Sequence, residues 1–584
     1  MNSATTRGPL LYASLTSVAL LCVAPFLQPF HRYPLTSFYT EWLALALGLG
    51  VMTVLLDRRA WVSAEVPWVA LAPFALALLL IVHGALDWSP YFGHALTGAL
   101  YLVWAGLLLI AVRALVRIGG REPVFTVIAA ALAGGALLSA LIGLIQYFNV
   151  LTPLNAFIVR LQGAAIFGNL AQPNHFAAYT TLGLLSLAYL HSRGRLLLPV
   201  AALWALPLLF VLGVSGSRSP WLYLFTAFGC AVWLRTTSSD QAVRRLFLWA
   251  GFFVIVHYLL QAAVGAGWFN PPEQAAVTAI DRLFSGAESV TDRIGIWRAA
   301  WTIALDHSVF GVGWGSFSDQ YFDFIAETSG VAPSGLYNNA HNLLLQLFVE
   351  TGVIGLVLLL PLLAVWLVRV MRADGDAGQW WLLATLAVFG IHSMLEYPLW
   401  YAYFLGIAAL LLGLGNGPVF VPKLAGWGRA FAATVILVGI TNLAFLWMDY
   451  RQLEGIFNPA PDQLRNTDYS ALMVRLHQNS LLTPYVELSS ALPMAVAGEN
   501  LPGRLLLNRQ AIRFTPIPQL VYKQVLLLAL ADRSQEAQAL LDRARRAYPA
   551  AQPEFERELA RLAREHPARF RPLIESAVHI PGRK

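Results

Sequence analysis

Long apolar runs separated by short polar breaks fill the first three quarters of the chain. A membrane-crossing helix needs about 20 consecutive apolar residues. Such runs fall near 10–29, 38–56, 66–84, 94–118, 123–148, 174–190, 196–213, 219–234, 246–266, 342–370, 379–394, 400–415 and 428–448. The pattern therefore predicts an all-α, polytopic membrane protein with about thirteen spans. No small-residue cleavage site follows the first run, which reads as a span rather than a signal peptide. Beyond residue 448 the period changes. Residues 519–548 give an amphipathic helix pair, and the charged stretch from Glu554 to Phe570 gives a further helix. Small residues at helical spacing with a closing Pro resemble one tetratricopeptide-like hairpin.

Composition sharpens this division. Only 12% of the 584 residues are charged, about half the soluble norm. Residues 1–448 hold 39 charged groups, and residues 449–584 hold 32 in 136 positions. We therefore expect a transmembrane domain over 1–448, with one large polar loop at 267–341, and a soluble helical domain over 449–584. Cys22 and Cys230 both lie in apolar runs, so no disulfide framework is implied.

The net charge is 39 − 32 = +7, and its placement matters more than its sum. Basic residues gather in alternate loops: Arg58 and Arg59; Arg113, Arg117 and Arg121; Arg193 and Arg195; Arg235, Arg244 and Arg245; Arg369 and Arg372; Lys423 and Arg429. By the positive-inside rule these loops, with Arg7, face the cytoplasm. The 149–173 loop, the 267–341 loop and the C-terminal segment then face outward.

Four outward clusters carry candidate chemistry. Gly168-Asn169-Leu170-Ala171-Gln172-Pro173-Asn174-His175 opens the sixth span, with Asn174 a possible helix cap. Gln172, Asn174 and His175 together exceed what capping needs. Gly213-Val214-Ser215-Gly216-Ser217-Arg218-Ser219-Pro220 is a tight turn whose Arg218 can fork onto phosphate. In the net-acidic 267–341 loop, Thr291-Asp292 reads as a helix start, followed by Arg293, Trp297, Arg298 and Trp301; Arg282 precedes it. Gly311-Val312-Gly313-Trp314-Gly315 lacks the strand context of a dinucleotide site. The last cluster, Asn338-Asn339-Ala340-His341-Asn342, runs straight into a span containing Gln346, Glu350 and Gly352. If Asn338 or Asn339 caps that helix, His341 lies in its first turn. There the helix dipole disfavours imidazolium and attracts anions. A neutral base beside an anion site suits attack by a hydroxyl on a phosphorylated carbon. A carboxylate inside a span, Glu350, is costly and points to function.

With these residues in view, the chain resembles the O-antigen ligase/polymerase superfamily, and within it the PglL-like bacterial O-linked oligosaccharyltransferases. The resemblance rests on His341-Asn342 with Gln346, Glu350 and Gly352, on Gln172-Pro173-Asn174-His175, and on Glu396-Tyr397-Pro398-Leu399-Trp400-Tyr401-Ala402-Tyr403. It implies a GT-C type glycosyltransferase, independent of metal and cofactor, in the bacterial inner membrane. The donor it implies is a glycan on undecaprenyl pyrophosphate. The acceptor is a Ser or Thr hydroxyl of a pilin-like or other periplasmic protein, and no nucleic acid is involved. Its N-terminus would be cytoplasmic, its active site and C-terminal domain periplasmic. By the same resemblance, His341 would be the catalytic general base or acceptor-orienting group, and Arg218 would grip the pyrophosphate with Arg293 or Arg298. Gln172, Asn174, His175, Asn342 and Tyr403 line the substrate site. An O-antigen ligase or polymerase would share the donor and differ in acceptor, and a polysaccharide flippase would be expected to show inverted repeats.

Overall fold

The computed structural model describes residues 8–578, except 63, 162–164, 270–286, 329–336, 374, 425 and 458–468. Arg7 and Arg282 lie outside them. Each of the thirteen apolar runs is mostly helical. Among the described residues, eight helices are long and apolar enough to cross a membrane by length and composition. Leu198–Val214 and Ala402–Leu414 are shorter apolar helices. The one sheet among the described residues is a two-residue antiparallel pairing of Val66–Pro67 with Val419–Phe420. The chain is an all-α polytopic membrane protein.

The described residues form two compact units. The first comprises 1–75, 101–287 and 358–445. Its core runs through the helices and includes fully buried Trp380, Trp381, Tyr179 and Phe176. Small residues set the closest approach. A Cβ on Gly183 would lie 2.1 Å from the Ala136 Cβ, so the Arg121–Tyr147 and Pro173–Ser192 helices meet there only because position 183 has no side chain. Buried polar side chains satisfy one another: Trp381 Nε1 donates to Ser186 Oγ at 2.9 Å, and Trp380 Nε1 to the Ala227 carbonyl at 3.0 Å.

The second unit gathers 76–100, 288–357 and 446–584. Here the Phe317–Glu327 helix packs against the C-terminal helices through Phe322, Tyr548 and Val521. Arg543 pairs with Asp323, Arg546 donates to the Ala326 carbonyl, and Ser318 Oγ donates to the Phe514 carbonyl at 3.2 Å. The amphipathic pair is a hairpin of Pro518–Leu530 and Ser534–Ala547. The single charged helix expected from Glu554 to Phe570 is instead two, Gln552–Glu565 and Pro567–Val578, because Pro567 cannot continue a helical hydrogen-bond ladder.

Two further expectations are corrected. The helix placed at Thr291 already runs from Ala287 to Asp306, since Ala and Glu just upstream favour helix. The span at 342–370 is a helix, Leu343–Met371, broken by a kink at Gly352, which adopts φ 63° and ψ −166°.

Candidate active site

In the first unit, the 166–175 segment is fixed by two buried amides. Gln146 Nε2 donates to the carbonyls of Val159 (2.8 Å) and Gly168 (2.7 Å), and its oxygen accepts from Gly168 N at 2.9 Å. Asn169 Nδ2 donates to the Leu27 and Phe157 carbonyls, at 2.7 and 2.8 Å. Asn169 is thus a latch. The cap of the Pro173–Ser192 helix is Gln172, not Asn174: its side-chain oxygen accepts the His175 backbone N–H at 2.5 Å, with Pro173 in the first turn.

Freed from capping, Asn174 points elsewhere. Its amide donates to Glu396 Oε1 at 2.9 Å and its oxygen accepts from Ser217 Oγ at 2.8 Å. One side chain so joins three motifs, opening the sixth span, preceding Arg218, and carrying the Glu396–Tyr403 aromatics. Arg218 itself is the residue before the Ser219–Thr237 helix. His175 is 3% exposed and His392 1%. Their rings meet edge to face at 5.4 Å, and Tyr401 lies 5.1 Å from His175. Tyr403 OH reaches His175 Nδ1 at 3.4 Å, and Tyr223 OH reaches His392 Nδ1 at 3.0 Å. Glu41 closes the cluster by accepting from Ala402 N at 2.6 Å and Tyr101 OH at 3.2 Å.

Gln172, Asn174, His175 and Tyr403 are therefore brought together. Glu396, His392, Tyr223 and Glu41 join them, and sequence reasoning assigned none of these four a role. Glu396 was visible as a carboxylate in an aromatic motif. His392, Tyr223 and Glu41 sit in apolar runs and carry no local signal.

In the second unit, Asn342 is the cap: its side-chain oxygen accepts from Leu344 N and Leu345 N, both at 3.1 Å. His341 consequently lies before the helix and not in its first turn. It holds a left-handed backbone, φ 47°, and its N–H donates to Asn339 Oδ1 at 3.0 Å. Ala340 is clamped on both sides, its N–H by Gln346 Oε1 at 2.7 Å and its carbonyl by Trp297 Nε1 at 3.0 Å. The Tyr337 ring lies 5.9 Å from the half-buried imidazole. A left-handed non-glycine residue held by its neighbours on this scale is a constrained turn.

Arg293 and Arg298 occupy different faces of the Ala287–Asp306 helix. Arg293 is one turn from Trp297, whose indole contacts the His341 turn; Arg298 is on the exposed face. Glu350 has an architectural duty. Its Oε1 accepts from Gly315 N at 3.1 Å and Phe317 N at 3.4 Å, anchoring the glycine run and the helix that follows. Among the described residues, no group of three or more His, Cys, Asp or Glu could hold a metal ion.

Comparison with known proteins finds similarity along the same stretches of chain. Residues 166–191 match the protein glycosylation ligase family, 201–360 the O-antigen ligase family, and 380–563 the C-terminal part of the virulence factor membrane-bound polymerase family. Arg218, Arg293, Arg298 and His341 all fall in the second match, and the Asn174 cluster begins in the first. The chain is therefore a polytopic membrane protein in which separate segments are similar to the O-antigen ligase and protein glycosylation ligase families. It is 27% identical over 451 residues, 75% of each chain, to the general O-oligosaccharyltransferase of Acinetobacter baylyi. It is 25% identical over 246 residues to the ComP-specific O-oligosaccharyltransferase of the same organism, covering 42% of this chain and 43% of that one. Both relatives are glycosyltransferases by name.

Proposed function

We propose that this protein is an O-linked oligosaccharyltransferase of the bacterial inner membrane. It moves a glycan en bloc from undecaprenyl pyrophosphate to a Ser or Thr hydroxyl of a periplasmic, pilin-like protein. The observation that carries this reading is the protein glycosylation ligase match at 166–191, the segment that supplies Gln172, Asn174 and His175. The membrane domain spans 1–448 and the soluble helical domain 449–584, with the chemistry on the periplasmic side.

The reaction is an inverting displacement. The acceptor oxygen attacks the anomeric carbon, the bond to pyrophosphate breaks, and the leaving group departs with the electron pair. His341 takes the hydroxyl proton as general base. Arg218 and Arg293 stabilise the charge that grows on the leaving pyrophosphate, which is where fixed cations lower the barrier most. Asn342 and Tyr403 complete the substrate site. No step calls for a metal or cofactor.

A second reading keeps the donor and changes the acceptor to lipid A core or a growing glycan. The O-antigen ligase and polymerase matches favour it. Expression with a lipid-linked donor, in cells without their own transferase, separates the two. Glycan on periplasmic protein supports the first, and laddered lipopolysaccharide alone overturns it.

A further inference from the structure

The Ala287–Asp306 helix buries one face and leaves an ordered stripe on the other. Ile296, Ala299, Ala300, Ile303 and Ala304 are buried in a core shared with Phe317 and Val349. Opposite them, Ile294 is 60%, Trp301 52% and Leu305 54% exposed, at helical spacing along a single line. Arg298, Thr302 and Asp306 are exposed along one flank of that line. Three large apolar side chains in a row, bordered by polar ones, form an interaction face rather than scattered exposure.

What covers it follows from the neighbouring helix. The Trp301 ring lies 5.7 Å from Phe348, in the Leu343–Met371 helix. Immediately after the stripe, the Ser308 and Val309 carbonyls accept the Val353 and Ile354 N–H groups, at 2.8 and 3.4 Å. These donors are freed by the kink at Gly352, and the chain segment re-satisfies them as a membrane interior requires. Val309, Phe310, Val353 and Val357 are all exposed. The stripe is therefore continuous with the outward apolar surface of a helix long and apolar enough to span a bilayer.

We infer that the Ala287–Asp306 helix is an interfacial helix lying in the outer leaflet of the membrane, with Ile294, Trp301 and Leu305 among the acyl chains and Arg298 on the lipid phosphates. The partner is the bilayer surface itself. Trp suits the headgroup boundary, and a long cationic side chain at its edge reaches up to phosphate. Arg298 is thereby assigned to the membrane, leaving Arg293 for the donor. The inference rests on the membrane fold and not on the transferase reading.

The test uses the full chain in vesicles of phosphatidylethanolamine and phosphatidylglycerol, with Cys22 and Cys230 replaced by Ala. Nitroxide labels on Trp301→Cys and Leu305→Cys should sit about 5–10 Å below the phosphates, by oxygen against nickel-chelate accessibility. Labels on Thr302→Cys and Asp306→Cys should report water. Arg298→Glu should shift the 301 label toward water. Equal water exposure at all four positions overturns the inference, as does shielding of 301 and 305 that appears only when an acceptor protein is added. Should the cysteine-free chain fail to fold, the unaltered protein with diazirine-bearing acyl chains gives the same answer. Lipid adducts on the peptide around Trp301 are expected, and their absence there, with adducts present on Leu343–Met371, contradicts it.

Discussion

Asn174 donates its side-chain amide to Glu396 at 2.9 Å while accepting from Ser217 at 2.8 Å, so one asparagine side chain ties three sequence motifs together. Glu396→Gln keeps an acceptor oxygen at that place, whereas Glu396→Ala leaves the half-buried Asn174 amide without it. The unmet donor costs about 1–3 kcal/mol. The alanine variant should unfold at lower temperature and lose transfer rate, with the glutamine variant between it and the parent. Thermal unfolding in detergent and a glycosylation assay on the same preparations check both.

Gln346 holds the turn that presents His341 by accepting the Ala340 N–H at 2.7 Å. Gln346→Leu fills the space and removes the acceptor, again at a cost of about 1–3 kcal/mol. The expected result is a folded, membrane-inserted protein whose transfer rate falls much more than its affinity for the donor. Measuring kcat and KM separately shows whether the loss is in positioning.

Gly352 is required twice over: φ is 63°, and a Cβ would lie 2.1 Å from the Val309 carbonyl oxygen. The backbone conformation alone costs a non-glycine residue on the order of 1–3 kcal/mol. Gly352→Ala should depress the unfolding temperature markedly, more than Gly295→Ala, where a Cβ meets nothing within 4 Å. Parallel melting curves decide it.

Burial pushes the Asp319 carboxyl up to about 6, against the opposing pull of Arg513 and Arg543. A carboxyl raised above its unfolded value of 3.8 holds a proton in the fold that the unfolded chain has already lost. Its favourable contribution is complete below about pH 4 and fades as pH rises through about 6, with a slope approaching 1.4 kcal/mol per pH unit between them. Asp319→Asn should therefore flatten stability against pH in that window and stabilise the protein at pH 7.

The apolar period made the thirteen helical runs readable, because about 20 apolar residues in a row have few other uses. Details that depend on partners were not readable. Gln172 and Asn342 are caps where Asn174 and Asn338 or Asn339 also fitted the local pattern, and only the path of the preceding chain selects between them. The purpose of the glycine run lies outside its own sequence. Gly311, Gly313 and Gly315 each have positive φ and press against Glu350, Trp88 and His94 in turn. Glu350, which reads as chemistry from its burial in a span, is the acceptor that anchors this loop. His392 and Tyr223 meet at 3.0 Å from positions 169 apart in the sequence, and no spacing rule connects them.

His341 is proposed to activate a protein hydroxyl for attack on a lipid-linked glycan. The most direct measurement is intact-protein mass spectrometry of a pilin-like acceptor, produced with a lipid-linked donor and either the parent or His341→Ala. The variant's membrane insertion and unfolding temperature are matched to the parent beforehand. One glycan mass is expected on the acceptor made with the parent and none on that made with the variant. A matched variant that glycosylates at the parental rate, or a parent that modifies lipopolysaccharide and never protein, contradicts it.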